Sequence, residues 1–177
     1  MPFETAALAE PLSCVINANI KACIEQGDYI LIMGAGPIGL LFTQLAKQGN
    51  SAKVIVSEPS KFKRERAVKM GADEVVKPDN LEKRISDITE YGVDMVVDAF
   101  GSGLEQTLNP HKVIKYGGKV VLIGMNYTHQ SKIRQYDITR YELNLIGSYI
   151  STKKTFSRAI KMLENKRINT KDFITHK

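Results

Sequence analysis

An apolar run, Tyr29-Ile30-Leu31-Ile32-Met33, breaks at Gly34-Ala35-Gly36-Pro37-Ile38-Gly39 and resumes at once as Leu40-Leu41-Phe42. Short aliphatic runs bounded by glycine read as strands buried on both faces. Proline suits the first position of a helix, where its missing N–H is not needed. The stretch therefore predicts a strand over 28–33, a glycine turn, and a helix over 37–48. Gly34, Gly36 and Gly39 fall on the spacing G-x-G-x-x-G, and each answers a separate demand. The first permits a tight turn, the second lets a pyrophosphate approach the backbone, and the third lets helix and strand pack closely. The helix start then offers free N–H groups and a partial positive charge to an anion.

The rest of the chain repeats this alternation. Residues 4–26 are expected to be helical, with Pro11 in a first-turn position and Leu12, Val15, Ile16, Ile20, Cys23 and Ile24 on the apolar face. Ile38, Leu41, Phe42 and Leu45 recur at helical spacing after the glycine turn. Lys53–Ser57 reads as a second strand, followed by a basic helix that closes at Gly71. Asp73–Val76 reads as a third strand, and Asn80 as the cap of a helix carrying Leu81, Ile85 and Ile88. Val93–Phe100 is the fourth strand. Ser102 and Glu105 form a capping-box pair for the next helix, with a kink at Pro110 and a stop at Gly117-Gly118. Lys119–Ile123 is the fifth strand, Asn126–Gln135 a polar loop and Leu143–Ile150 the sixth strand. Thr152 opens a last helix with Phe156, Ala159, Ile160 and Leu163 inward. Strands alternating with helices imply a parallel sheet with right-handed crossovers. The fold expected is a doubly wound α/β sheet of six strands, the Rossmann arrangement, in the order 3-2-1-4-5-6. Residues 1–26 form a helical lead-in and residues 27–177 the main domain.

Composition narrows the function classes. The chain has 177 residues, 43% hydrophobic and 25% charged, values of an ordinary globular domain. Glu4 stands where a signal peptide would be basic, and the apolar run from Tyr29 to Phe42 is interrupted by three glycines and a proline. A cytoplasmic protein with no membrane partner is expected. Cys14 and Cys23 are nine residues apart, and at about 100° per residue they project from opposite faces of one helix. Neither a disulfide nor a shared metal fits them, and Cys23 is expected to be buried. His111, His129 and His176 are scattered, so no metal site is expected from sequence. The net charge of +6 is spread over helix faces around Lys61–Lys69 and Lys153–Arg167 without a nucleic-acid motif, and no nucleic-acid partner is expected.

In a doubly wound sheet the ligand lies beyond the carboxyl ends of the strands, at the switch point between the first and fourth. Glu58 ends the second strand, nineteen residues past Gly39, where a carboxylate can accept hydrogen bonds from an adenosine ribose. A carboxylate about 4 Å from a 2′-phosphate repels it by roughly 4 kcal/mol per unit charge at an effective dielectric near 20, which favours NAD over NADP. Lys61, Lys63 and Arg64 could neutralise such a phosphate, so NADP stays open.

Five motifs carry a resemblance that spans nearly the whole chain. They are Glu10-Pro11-Leu12-Ser13, Gly34-Ala35-Gly36-Pro37-Ile38-Gly39, Lys69-Met70-Gly71-Ala72-Asp73, Gly117-Gly118-Lys119-Val120-Val121-Leu122-Ile123-Gly124 and Gly147-Ser148-Tyr149. In this order and spacing the sequence resembles the zinc-type medium-chain alcohol dehydrogenases, most of all the polyol, sorbitol and threonine dehydrogenase branch. The resemblance implies that Gly34, Gly36, Pro37, Ile38 and Gly39 hold the pyrophosphate of NAD, and that Glu58 and Lys63 hold the adenosine ribose. It implies that Ile123, Gly124, Met125, Ser148, Tyr149 and Ile150 line the nicotinamide side, and that Glu10 lies near a catalytic zinc and the substrate. Ile150-Ser151 stand where sorbitol dehydrogenases of the human type carry an Arg-Tyr pair, so the small-molecule alcohol or polyol substrate implied is not fixed as sorbitol, and a different polyol, a sugar derivative or an amino alcohol stays open. The family's zinc ligands belong to a catalytic domain mostly N-terminal to the cofactor domain. A cofactor-domain fragment that binds dinucleotide weakly and catalyses nothing alone is therefore expected, with a homodimer or homotetramer built through the sixth-strand edge. Two other classes share the glycine turn: a regulatory nucleotide-binding module, which would not need Glu10-Pro11-Leu12-Ser13, and a methyltransferase, which would usually end in an antiparallel hairpin.

Overall fold

The computed structural model describes residues 1–103, 105 and 112–174. Among them six strands form one sheet: β1 (Tyr29–Met33), β2 (Lys53–Ser57), β3 (Glu74–Val76), β4 (Val93–Asp98), β5 (Ile114–Leu122) and β6 (Asn144–Gly147). Their order is β3-β2-β1-β4-β5-β6, as the alternation of elements predicts. All five neighbouring pairs are parallel, β6 included, and among the described residues no antiparallel strand joins the sheet.

Helices cover both faces: α1 (Phe3–Ala6), α2 (Ala9–Ala22), α3 (Pro37–Gln48), α4 (Lys61–Lys69), α5 (Leu81–Ile88), α6 (Gln135–Arg140) and α7 (Lys153–Glu164). Alternation along β1 sorts its side chains between two cores. Ile30 and Ile32 join Leu12, Val15, Leu41, Phe42 and Leu163 beneath α2, α3 and α7. Leu31 and Met33 join Leu81, Ile85 and Ile114 on the opposite face. Burial on both faces explains the aliphatic runs at 30–33, 54–56 and 95–97 in β1, β2 and β4.

The lead-in is two helices rather than one. α1 stops at Ala6 and α2 starts at Ala9, which puts Pro11 in the first turn, where no intrahelical N–H bond is required. α2 ends at Ala22 because Cys23 turns left-handed at φ 48°. Cys23 is exposed, against the expectation that it packs in the core, since the helix that would have buried it ends there. Ile20, inside α2, is exposed as well, against the expectation that it lies on the apolar face.

Gly117-Gly118 do not end a segment; they lie inside β5. β4 and β5 shift register between Val93 and Met95, and the glycines absorb the extra residues as a bulge, with Gly117 at φ 68°. A side chain at Gly118 would come within 2.4 Å of Ile114. α6 occupies the end of the stretch expected to be loop and continues past it. Its six residues are too few to show a helical period, and it is held by the paired contacts of Arg134 with Asp137. β6 spans four residues rather than eight, ending at Gly147, and Ile150 beyond it turns left-handed at φ 56°. α7 opens on a capping box between Thr152 and Thr155; Ala159 and Leu163 are buried, but Phe156 faces solvent. The helix expected after Ser102 and the kink at Pro110 lie outside the described residues. No helix among the described residues is long and apolar enough to cross a membrane.

Candidate dinucleotide-binding site

The glycine turn sits at the carboxyl end of β1, where the chain enters α3. Gly34 has φ +96°, a left-handed conformation, and its N–H donates to the Ser57 carbonyl at 2.8 Å. Gly39 lies against this turn so closely that a Cβ there would stand 1.9 Å from the Gly34 carbonyl oxygen. Gly36 is different. It is the residue before α3, its backbone is extended, and a Cβ built on it meets nothing within 4 Å. No side chain caps the start of α3, and Pro37 occupies its first position. The arrangement leaves room for an anion over Gly36 and leaves helix N–H groups, at Ile38 and Gly39, to face it.

Glu58 follows β2 and is 5% exposed. Its carboxylate accepts the Ala35 N–H at 2.9 Å and the Ser60 N–H at 2.9 Å, and so joins the turn after β1 to the turn after β2. A carboxylate offers about four lone-pair positions, so two bonds leave acceptor capacity for ribose hydroxyls. A cavity of about 300 Å³ opens beside it, lined by Met33, Gly34, Ser57, Glu58, Lys63 and Phe100. Arg64 does not line it; its guanidinium donates to the Glu58 and Pro59 carbonyls at 2.7 and 2.6 Å. Lys61 stands 4.0 Å from Glu65 on the solvent side of α4. Lys63 is the cation of the three that borders the cavity. A larger cavity, about 550 Å³, lies between the first residues and the end of α7, away from the strand ends that form this site.

On the other side of the switch point, Gly124 follows β5. A Cβ there would stand 2.3 Å from the Gly101 nitrogen, so glycine is required for the β4 and β5 loops to meet. Ile123 packs against the core, whereas Met125 is exposed. Ser148 is buried, and its Oγ has no hydrogen-bond partner. Tyr149 and Ile150 beyond it are exposed. Asp98, which the sequence reading did not single out, ends β4 at 3% exposed and accepts N–H bonds from Phe100, Gly101 and Gly103. The signal for it was an acid closing a buried aliphatic strand ahead of Gly101 and Gly103.

α2 runs against the strands. Cys23 near its end receives Lys119 from the start of the paired part of β5, while Asn17 and Lys21 donate to the Ile150 and Gly147 carbonyls around the end of β6. Glu10, about 10 Å of helix rise before Asn17, therefore lies beyond the carboxyl ends of the strands and is exposed. Its carboxylate accepts from the Cys14 thiol at 3.3 Å. Burial, and then the bond to Glu10, pushes the Cys14 thiol up to about 11, so it stays protonated at neutral pH. Glu10 and Cys14 are two donors, fewer than the three protein ligands of a catalytic zinc. Among the described residues no group of three or more His, Cys, Asp or Glu could hold a metal ion.

A parallel sheet in this order, with a glycine turn at its first strand and an acid after its second, is a Rossmann-type domain. The chain belongs to the zinc-binding dehydrogenase family, whose model matches residues 37–165. It is similar to the L-threonine 3-dehydrogenase of Pyrococcus horikoshii, 34% identical over 184 residues that take in 100% of this chain and 51% of that protein. A zinc-binding dehydrogenase structure from Sinorhizobium meliloti 1021, bound to NADP, superposes with a TM-score of 0.84 at 29% identity, covering 93% of this chain and 49% of that one. An alcohol dehydrogenase from Escherichia coli CFT073, complexed with NADH, superposes at 0.86 with 25% identity, covering 97% and 50%. The chain thus spans about half the length of the curated relatives it matches.

Proposed function

We propose that this chain is the nicotinamide-cofactor-binding part of a zinc-dependent dehydrogenase that moves hydride between NAD and a secondary alcohol, polyol or amino alcohol. The observation that carries the reading is the pairing of an open, uncapped helix start at Gly36 with the buried Glu58 carboxylate latched to the same turn. In this reading the pyrophosphate lies over Gly34–Gly39, with Pro37 and Ile38 covering it, and Glu58 and Lys63 take the adenosine ribose. Ile123, Gly124, Met125, Ser148, Tyr149 and Ile150 border the nicotinamide, whose ring supplies the hydride-accepting carbon when bound. Residues 1–26 lead in from the junction with a catalytic domain, and Glu10 faces the metal and substrate that such a domain brings. The protein works in the cytoplasm.

NAD is favoured over NADP because the Glu58 charge lies where a 2′-phosphate would be placed. A titration of the purified chain with NADH, NADPH and S-adenosylmethionine tests both points. NADH at about 100 times its dissociation constant should stabilise the fold by about 2.7 kcal/mol, with NADPH weaker and the methyl donor inert. A melting shift given by S-adenosylmethionine alone would sink the proposal. On the same reading the chain alone oxidises no alcohol, and measurable turnover would contradict that part.

Two copies are proposed to pair through β6. It is an edge strand with Leu145 and Ile146 only half-buried, and Gly147 offers no side chain to block approach. Light scattering at high concentration should give the mass of a dimer or tetramer; a clean monomer would refute this edge as the interface.

A further inference from the structure

We infer that Asp98 is a positioning residue of the dinucleotide site, acting through Phe100; this rests on the dinucleotide reading above. Asp98 is a buried acid with no cation paired to it among the described residues. Its carboxylate accepts the Phe100 N–H at 3.1 Å and the Gly101 N–H at 2.8 Å on one oxygen, and the Gly103 N–H at 2.9 Å on the other. Successive backbone N–H groups turned toward one point form a nest that attracts negative charge. Here the nest is filled by the chain's own carboxylate, which folds the β4 loop back over the end of its strand. The Asp98 carbonyl accepts from Ile123 and Gly124 at 3.2 and 2.8 Å, so one residue joins the β4 loop to the end of β5.

The consequence falls on Phe100. Its ring is pressed between two glycines: a Cβ at Gly34 would stand 3.3 Å from the Phe100 Cβ, and one at Gly103 would stand 2.9 Å from its Cε1. The ring lines the cavity beside Glu58 and is 44% exposed, an aromatic surface facing the space that the adenosine half would fill. Asp98 does not border that cavity. It sets where the ring stands, and the ring meets the ligand.

Asp98→Asn separates these roles at constant size. A carboxamide keeps one acceptor oxygen, and its NH₂ group can only donate, so at least one of the three N–H bonds is lost in either orientation. NADH affinity, read from the fluorescence of NADH itself, should fall about tenfold, the equivalent of one net hydrogen bond to a charged group. Phe100→Ala should weaken NADH as well. The double variant D98N/F100A should bind no more weakly than F100A, because Asp98 then has nothing left to position. Additive losses would mean that Asp98 serves the fold alone and would overturn the inference. So would D98N binding NADH as tightly as the natural chain. F100A leaves the Asp98 bonds in place, so unchanged NADH affinity in F100A overturns it even if D98N fails to fold. Failure of the natural chain to bind NADH would instead count against the dinucleotide reading itself.

Discussion

Gly39→Ala should unseat α3 from the sheet and abolish NADH binding. The new Cβ would stand 1.9 Å from the Gly34 carbonyl oxygen, and both partners belong to backbone, so no side chain can swing aside. Relief requires α3 to move away from the turn, yet Leu41 and Phe42 on the same helix are fully buried beneath it. Overpacked substitutions typically cost 1–3 kcal/mol and occasionally more, and a clash with backbone belongs at the upper end, about 3 kcal/mol. For a chain of this size that lowers the melting temperature by about 10 °C. Gly36→Ala is the matched control. Its Cβ meets nothing, and its φ of −75° suits alanine. The melting temperature should hold while NADH weakens, because the methyl group enters the space left for the pyrophosphate. Thermal melts and NADH fluorescence on the two variants decide the matter. Equal melting temperatures would show that the close approach at Gly39 does not govern the packing of α3.

Glu58→Ala should cost both stability and selectivity. Removing the carboxylate leaves the Ala35 and Ser60 N–H groups without their acceptor, one in a residue only 2% exposed. A buried orphaned donor costs about 1–3 kcal/mol and the half-buried Ser60 N–H, which water can reach, costs less, so a loss of about 2–4 kcal/mol is expected. NADH affinity should fall as the ribose loses its acceptor. NADPH should lose less, because the repulsion of its 2′-phosphate, roughly 4 kcal/mol at 4 Å and an effective dielectric near 20, disappears with the charge. The ratio of NADPH to NADH affinity should therefore rise by about tenfold or more, with Lys63 left beside the cavity to meet the phosphate. A ratio unchanged from the natural chain would remove Glu58 from cofactor choice.

The elements most legible in the sequence are those whose period and punctuation agree. Pro37–Gln48, Lys53–Ser57 and Lys61–Lys69 stand where glycine, proline and apolar spacing put them. The elements least legible carry too little local pattern or depend on distant partners. α6 is held locally by Arg134 and Asp137, and its six residues are too few to announce it. The Gly117-Gly118 pair reads locally as a stop and becomes a bulge only because β4 pairs on both sides of it. Cys23 has the spacing of the buried stripe, but the helix ends before it.

The candidate site divides along the same line. The glycine spacing and the acid after β2 are sequence patterns, because tight turns and close backbone approach restrict residue type at fixed offsets. That Glu58 is latched to Ala35, that Arg64 is tied to the backbone while Lys63 borders the cavity, and that Asp98 holds Phe100 against Gly34 are facts of tertiary structure. Sequence by itself determined the α/β alternation and the turn at Gly34–Gly39, since backbone geometry and hydrophobic period act locally, and the strand order followed from applying the crossover rule to that alternation. Only the folded sheet decided which carboxylates face the turn and which aromatic ring walls the cavity, because those contacts join strand ends that are neighbours in space and far apart along the chain.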